Sequence, residues 1–394
     1  MTNKHSFFIK ETDLSEKKKI LIRHEMLRDL HPDVINTLNQ FTFDPEIVGK
    51  RNCENLIGSI AIPLGIAGPV CVNISVEPSS QNAVQKQLFF PLATTEGALV
   101  ASVNRGARAL SLSDVRVFVT KSGMTRAPVF ACSNFAMAKK FAEWLKSDKS
   151  KLIDSSIKSS SHLSYLGVEV FIRGKRVFAR FRFDTGEAMG MNMVSIALDS
   201  WWSDAGASWP EVRMVALSSN VCTDKKDAAI NRLLGRGYQV HVETVLSAKV
   251  LEGLRVTPTS LVEAHVAKNL VGSAVAGSFS QNMQVANVVA ALYIATGQDP
   301  AHVVDASSAA VTFEVEGDGV YASIDFSSLA VGTVGGGTAL PQQTAARSCI
   351  CEGQVQSIDV AAAVATAALC AEISGLASLT EQTLAKAHHK HARG

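Results

Sequence analysis

The run VEVFIRGKRVFARFRF, residues 168–183, decides the fold. Residues 168–172 and 177–183 are rich in β-branched and aromatic side chains, and Arg173-Gly174-Lys175 between them has turn character, so the run predicts two strands joined by a tight connection. Ahead of it, Val129-Phe130-Ala131 predicts a short strand, and Ser133 or Asn134 caps a helix reaching about residue 145. After it, residues 188 to about 202 predict a helix and 212–217 a last strand. The order β-α-β-β-α-β is that of a ferredoxin-like, or split βαβ, unit. We therefore expect a small domain at 128–216 inserted into one larger, helix-rich α+β domain made of 51–127 and 217–394. Residues 1–50, with charge-rich helical patterning, form a short helical region ahead of both.

A chain of 394 residues exceeds what one hydrophobic core usually organises, which agrees with more than one domain. Its 47% hydrophobic and 19% charged content is that of a globular protein. With 38 basic and 36 acidic residues the net charge is only +2, which argues against a nucleic-acid binder but allows a local basic patch for an anionic cofactor. The polar N-terminus lacks a secretory core, and no apolar run of transmembrane length stands out; residues 285–296 are too short and predict a buried core helix. Seven scattered cysteines without a C-x-x-C suggest reduced thiols rather than a disulfide framework or a zinc site. The expectation is a soluble, cytoplasmic protein without a membrane segment or a metal. Ala/Val-rich segments 261–297 and 357–377 predict buried helices, and the Gly/Pro-rich stretch 57–70 favours turns and close backbone approach. Ser378-Leu379-Thr380-Glu381 matches a capping box and predicts a helix start ahead of a histidine-rich tail.

Five blocks carry chemistry. In ATTEGALVASVN (93–104), Glu96 sits among hydroxyls, glycine and small apolar residues, where desolvation would raise its pKa toward a useful proton donor. In SSNVCTDKK (218–226), two lysines beside an aspartate suit an anion or a developing oxyanion, though the block alone also fits a solvated charged turn. Asp299, after Gly297-Gln298 at the end of an apolar helix, would bridge an acid and a lysine, or merely finish a polar turn. Three glycines in GTVGGGT (332–338) admit backbone approach to phosphate, or simply pack tightly. This is neither a Walker loop nor a dinucleotide fingerprint: the near-match Gly317-Asp318-Gly319 reads as a hairpin turn between 311–315 and 321–326, which excludes a Rossmann assignment. Last, His388 and His391 share a helix face; a mobile histidine suits protonation of a leaving thiolate, while a disordered basic tail is the plainer reading.

Taken in order, these blocks resemble the hydroxymethylglutaryl-CoA (HMG-CoA) reductase family, specifically the catalytic portion of its class I form. The matching stretches are Glu54-Asn55-Leu56-Ile57-Gly58, ATTEGALVAS with Asn104-Arg105-Gly106, AMGMNM (188–193), CTDKKDAAIN (222–231), KNLVGSAVAGS (268–278), Gly297-Gln298-Asp299, GTVGGGT and the tail pattern Lys386, His388, His391, Arg393. The resemblance implies reduction of HMG-CoA to mevalonate and CoA by two hydrides from NADPH, with NADH an alternative. It implies Glu96 as the carbonyl acid, Lys225 as the cation at the carbonyl oxygen, Asp299 as the carboxylate linking them and His388 as the thiol acid. Arg126, Ser218, Asp224, Lys226, Lys268 and Asn287 fall where the family surrounds the hydroxymethylglutaryl group, and Ser102, Asn104 and Arg105 where it meets CoA. Glu187, Met191, Asn192, Gly335, Gly336 and Gly337 fall at its nicotinamide-cofactor positions.

Some positions depart from the family pattern. Glu187 stands where an Asp is usual, and Gln284 where a histidine is common. Ser159-Ser160-Ser161-His162 replaces an arginine that would grip a 2′-phosphate, leaving His162 or Arg393 to substitute. The family further implies a homo-oligomer with its active site between subunits, for which the apolar stretch from ENLIG to GPV is the interface candidate. The same residues would serve mevalonate oxidation, and a silent CoA- or nucleotide-binding relative would keep the fold without the chemistry.

Overall fold

The computed structural model describes residues 9, 13–27, 38, 40–76, 83–147 and 161–381. Two strand sets share one long strand. β1 (Leu64–Ser75) and β2 (Val84–Ala93) pair antiparallel, and β1 runs parallel to β3 (Arg116–Arg126). The first part of β3 pairs with β8 (Arg236–Leu246), which pairs with β10 (Gly319–Leu329) and then β9 (Ala310–Glu316). The last three residues of β3, Met124 to Arg126, leave that sheet and pair with β6 (Arg176–Asp184). From there β6 binds β5 (Ser164–Arg173) on one side and β4 (Val129–Cys132) on the other, and β4 binds β7 (Val212–Ala216).

Numbered within residues 128–216, these four strands lie in the order fourth, first, third, second, all antiparallel. The connection at Gly174 closes β5 to β6, with Arg173 opposite Arg176 and Gly174 at φ +56°. Asn134 caps the helix Phe135–Ser147, its Oδ1 accepting from Met137 N at 2.9 Å. The second helix starts at Met191 rather than 188, because Gly190 is left-handed, and runs to Ala205. Trp144, Trp201, Trp202, Phe130 and Phe141 interlock under this sheet as a separate core. Arg180, fully buried, joins it to the larger body by donating to Gly235 O at 2.7 Å and to Glu169 at 3.0 Å.

The larger core lies beneath β8, β10, β3, β1 and β2 and is built around the 24-residue helix Ser357–Thr380. That helix corrects two expectations. It is long and apolar enough to cross a membrane by composition, with hydropathy 1.8, yet its apolar window is wholly buried inside the protein. It also continues through Ser378 to Thr380 instead of starting there, since the Ser378 and Thr380 hydroxyls turn back onto the carbonyls of Ser374 and Leu376. The helices expected in 261–297 are buried only in part. The segment divides into Pro258–His265, a π-helical stretch Val266–Gly272, Ser273–Ala276 and Val285–Thr296, and Val266, Val271, Val275 and Phe279 are exposed. In 57–70, residues from Leu64 onward form β1 rather than turns, with a register shift between Ala67 and Val70.

The helix Leu99–Leu110 crosses the 357–380 helix at Gly106, where an added Cβ would lie 1.9 Å from Cys370 O. Gly106→Ala must push two helix backbones apart, and we expect a loss of about 2–3 kcal/mol, read from the urea midpoint. A shift below ~0.5 kcal/mol would mean that the helices do not approach this closely.

Candidate active site

The loop after β7 is held in a shape that few sequences adopt. Asn220, Thr223 and Lys225 all have positive φ, at 65°, 57° and 59°. Three bonds brace it: Thr125 Oγ1 donates to Cys222 O at 2.8 Å, Ser219 N to Ala127 O at 2.8 Å, and Thr223 Oγ1 to Asn231. Lys225 is thereby aimed at Asp299, with Nζ 2.7 Å from Oδ2. Asp299 is placed by its own chain as well. Gly297 ends the helix Val285–Thr296 at φ +73°, packed so closely on Gly337 that a Cβ would sit 2.4 Å from its carbonyl oxygen. Asp299 Oδ1 then accepts from Ala301 N at 3.0 Å. Burial pushes the Asp299 carboxyl up, but the Lys225 ammonium and the Ala301 N–H outweigh it and hold the group below its ordinary value. Asp299 therefore faces Lys225 as a carboxylate.

Beneath this pair lies a network that sequence reading missed. Arg236, at 0% exposure, donates to Asp305 Oδ2 at 2.7 Å, to Asp224 Oδ1 at 3.0 Å and to Thr125 Oγ1 at 3.1 Å. His302 Nδ1 lies 3.2 Å from Asp305 Oδ1, and Ser328 Oγ donates to Asp305 Oδ2 at 3.1 Å. The available signal was Gly235-Arg236-Gly237, a charged residue set between two glycines at the head of a strand. Asp224 also faces Arg126, whose Nη1 is 3.7 Å away and whose Nε donates to Ser195 Oγ at 3.1 Å. Lys226 Nζ donates to Asp224 O at 3.2 Å, and Ser218 Oγ lies 3.2 Å from Cys222 Sγ.

Among the described residues Glu96 forms no hydrogen bond or ion pair with Lys225 or Asp299. Its Oε1 accepts from Asn287 Nδ2 at 3.1 Å, and its N–H is turned onto Thr94 Oγ1 at 3.0 Å. The desolvation expected of Glu96 is not supplied here: the residue is exposed, in the turn before the Leu99–Leu110 helix. Among the described residues its partner is Asn287, not Asp299. Lys268 is exposed on the π-helical stretch. Ser102, Asn104 and Arg105 engage the protein: Ser102 Oγ meets Ser374 Oγ at 3.2 Å, Asn104 Oδ1 accepts from Gly68 N, and Arg105 binds Ser378, Leu254 O and Glu381.

Opposite, the glycine loop is fastened to Glu187. Its carboxylate accepts from Thr333 Oγ1 and Ser357 N, both at 2.7 Å, and its carbonyl accepts from Thr333 N. The Gln298 side chain pairs with both backbone groups of Gly332 at 2.9 Å. Gly335 and Gly336 have φ +87° and +55°, and a Cβ at either would meet only open space. Met191 is buried with Sδ accepting from Arg236, and Asn192 is exposed in the first turn of a helix whose N-terminus carries no side-chain cap. His388 and Arg393, together with Ser159 and Ser160, lie outside the described residues.

Matches to known proteins give first the class, an oxidoreductase of mixed α+β architecture. More closely, the chain belongs to the hydroxymethylglutaryl-coenzyme A reductase family, whose model matches residues 19–393. It is 41% identical over 363 residues to the 3-hydroxy-3-methylglutaryl-coenzyme A reductase of Halobacterium salinarum, covering 90% of this chain and 87% of that one. To the enzyme of the same name from Pyrococcus horikoshii it is 41% identical over 364 residues, covering 90% and 86%. Among solved structures, the class II reductase of Streptococcus pneumoniae bound to NADPH superposes with a TM-score of 0.66 at 16% identity, covering 93% of this chain and 98% of that one; this likeness concerns the fold.

Proposed function

We propose that the protein reduces HMG-CoA to mevalonate and free CoA, consuming two NADPH and two protons, as a class I member of its family. The observation that carries this is the Lys225–Asp299 ion pair, set on a braced loop beside the cations Arg126 and Lys226, both of which meet Asp224. Lys225 stabilises the carbonyl oxygen as negative charge grows there, and Asp299 orients its Nζ. Arg126, Ser218, Asp224, Lys226, Lys268 and Asn287 hold the hydroxymethylglutaryl end, where a terminal carboxylate suits cations. Glu96, oriented by Asn287, protonates the carbonyl-derived oxygen, and His388 protonates the departing thiolate.

When bound, NADPH supplies the two hydrides. The residues present suit it: open space above Gly335 and Gly336, an uncapped helix N-terminus at Met191 and Asn192, and Glu187 fastening the loop between them. Arg393 or His162 would take the place of the family's arginine at its 2′-phosphate. The inserted, ferredoxin-like unit at 128–216 is the cofactor domain, flanked by the larger substrate and CoA domain at 51–127 and 217–394 and by the helical region at 1–50. Its split strand order and separate aromatic core support that division. A homo-oligomer completes the site. Ile60, Ile62, Leu64 and Ile66 form an exposed apolar stripe suited to a second copy, whose surface would desolvate Glu96. Cytoplasmic placement fits seven free cysteines.

Nicotinamide absorbance with HMG-CoA and either cofactor tests the reading; folded protein that oxidises neither NADPH nor NADH overturns it. A second expected outcome concerns the tail. His388→Gln slows HMG-CoA reduction by about 10²-fold while sparing added mevaldehyde, which needs no thiol acid. Equal loss on both substrates would remove His388 from its role.

A further inference from the structure

Glu372 is the one acidic residue between Asp359 and Glu381 in the long apolar helix, and it is completely buried. A lone carboxylate in such surroundings persists only where donors converge on it. Its oxygens accept from Met283 N at 2.9 and 3.0 Å, from Gln284 N at 2.7 Å and from Asn269 Nδ2 at 3.3 Å. Met283 and Gln284 immediately precede the helix Val285–Thr296. Gln284 occupies the N-cap position without capping through its side chain, which is spent on Ala371 O. Glu372 thus satisfies, from another helix, the N–H groups of the two residues that lead into Val285–Thr296 and so fixes where that helix begins. Burial pushes its carboxyl up to about 7, against the pull of those N–H groups, Asn269 and the nearby Lys268 ammonium.

Both elements that Glu372 ties down carry substrate-facing groups. Asn287, in the first turn of Val285–Thr296, orients Glu96. Asn269 adjoins Lys268 on the π-helical stretch Val266–Gly272, a conformation frequent at functional sites. We infer that Glu372 is a positioning residue for the reduction: one buried carboxylate sets the separation of the Asn287–Glu96 pair and Lys268, acting through Met283, Gln284 and Asn269. This rests on the function proposed above, which assigns Glu96 and Lys268 their work.

Glu372→Gln keeps the side-chain shape but turns one acceptor into a donor facing donors. In the full chain we expect kcat with HMG-CoA to fall by about 10²-fold, as for a misplaced catalytic group. NADPH affinity, read by fluorescence, should stay within about two-fold, and Glu372→Asp should recover part of the rate. Asn287→Ala added to Glu372→Gln should cost little more than the larger single loss, because both act on Glu96. Amide exchange should accelerate at 266–272 and 281–290 and remain unchanged at 164–184. Exchange that stays slow at the first two segments, or rises uniformly, overturns the positioning role, as do fully additive losses. Wild-type chain that does not oxidise NADPH with HMG-CoA overturns the function instead, and the exchange pattern then decides positioning alone.

Discussion

Lys225→Ala is expected to lower kcat for HMG-CoA-dependent NADPH oxidation by about 10³-fold, with the fold left intact. The two halves of that expectation come from different magnitudes. Removing a group that stabilises a developing oxyanion costs on the order of 10²–10³ in rate, or about 4 kcal/mol at the upper end. The Lys225–Asp299 pair contributes far less to stability, because its side chains are 41% and 33% exposed and such pairs yield at most about 1 kcal/mol. The variant should therefore unfold near the wild-type urea midpoint while turning over almost nothing. Asp299, left with the burial that pushes its carboxyl up and without its first counter-charge, should titrate higher than in the wild type. A rate within ten-fold of wild type would remove Lys225 from the carbonyl oxygen.

Arg236→Met is expected to produce the largest loss of stability from a polar substitution, about 3–5 kcal/mol, because it leaves Asp305 buried at 1% exposure without its cation. Asp224 loses the same partner but keeps Arg126 nearby and is partly open to water, so it contributes less. Replacing Asp305 by Leu in the same chain should restore much of the loss, since a buried pair exchanged for apolar groups is often neutral. Thermal and urea unfolding measure both variants. A single-variant loss under ~1 kcal/mol would mean that water, not Arg236, solvates Asp305. Activity should fall with Arg236 even in the repaired double variant, because Asp224 adjoins Lys225 and would lose the bond that orients the loop.

What could be read in advance was local or periodic. The hairpin at 173–176, the cap at Asn134 and the hairpin turn at Gly317 follow from turn chemistry and strand patterning within a few residues, and all are present. Ser378 failed because a capping box is a weak local signal. Thr and Ser hydroxyls inside a buried helix satisfy themselves on carbonyls one turn back, and packing extends the helix through them. The middle of 261–297 failed because apolar composition does not say which faces are covered, and Val271, Val275 and Phe279 stay exposed.

The amino-acid order by itself determined the family and the types of groups available: an acid after two threonines, lysines beside Asp224, an aspartate after Gly297, glycines at 335–337. Only the tertiary structure decided which of them meet. Lys225 reaches Asp299 across 74 positions because a strained loop is braced from β3 and a glycine lets two backbones touch. Arg236 and Glu372 matter for the same reason. A charge is tolerated in an apolar interior only where distant donors or acceptors converge on it, and convergence belongs to the folded chain, not to any stretch of its sequence.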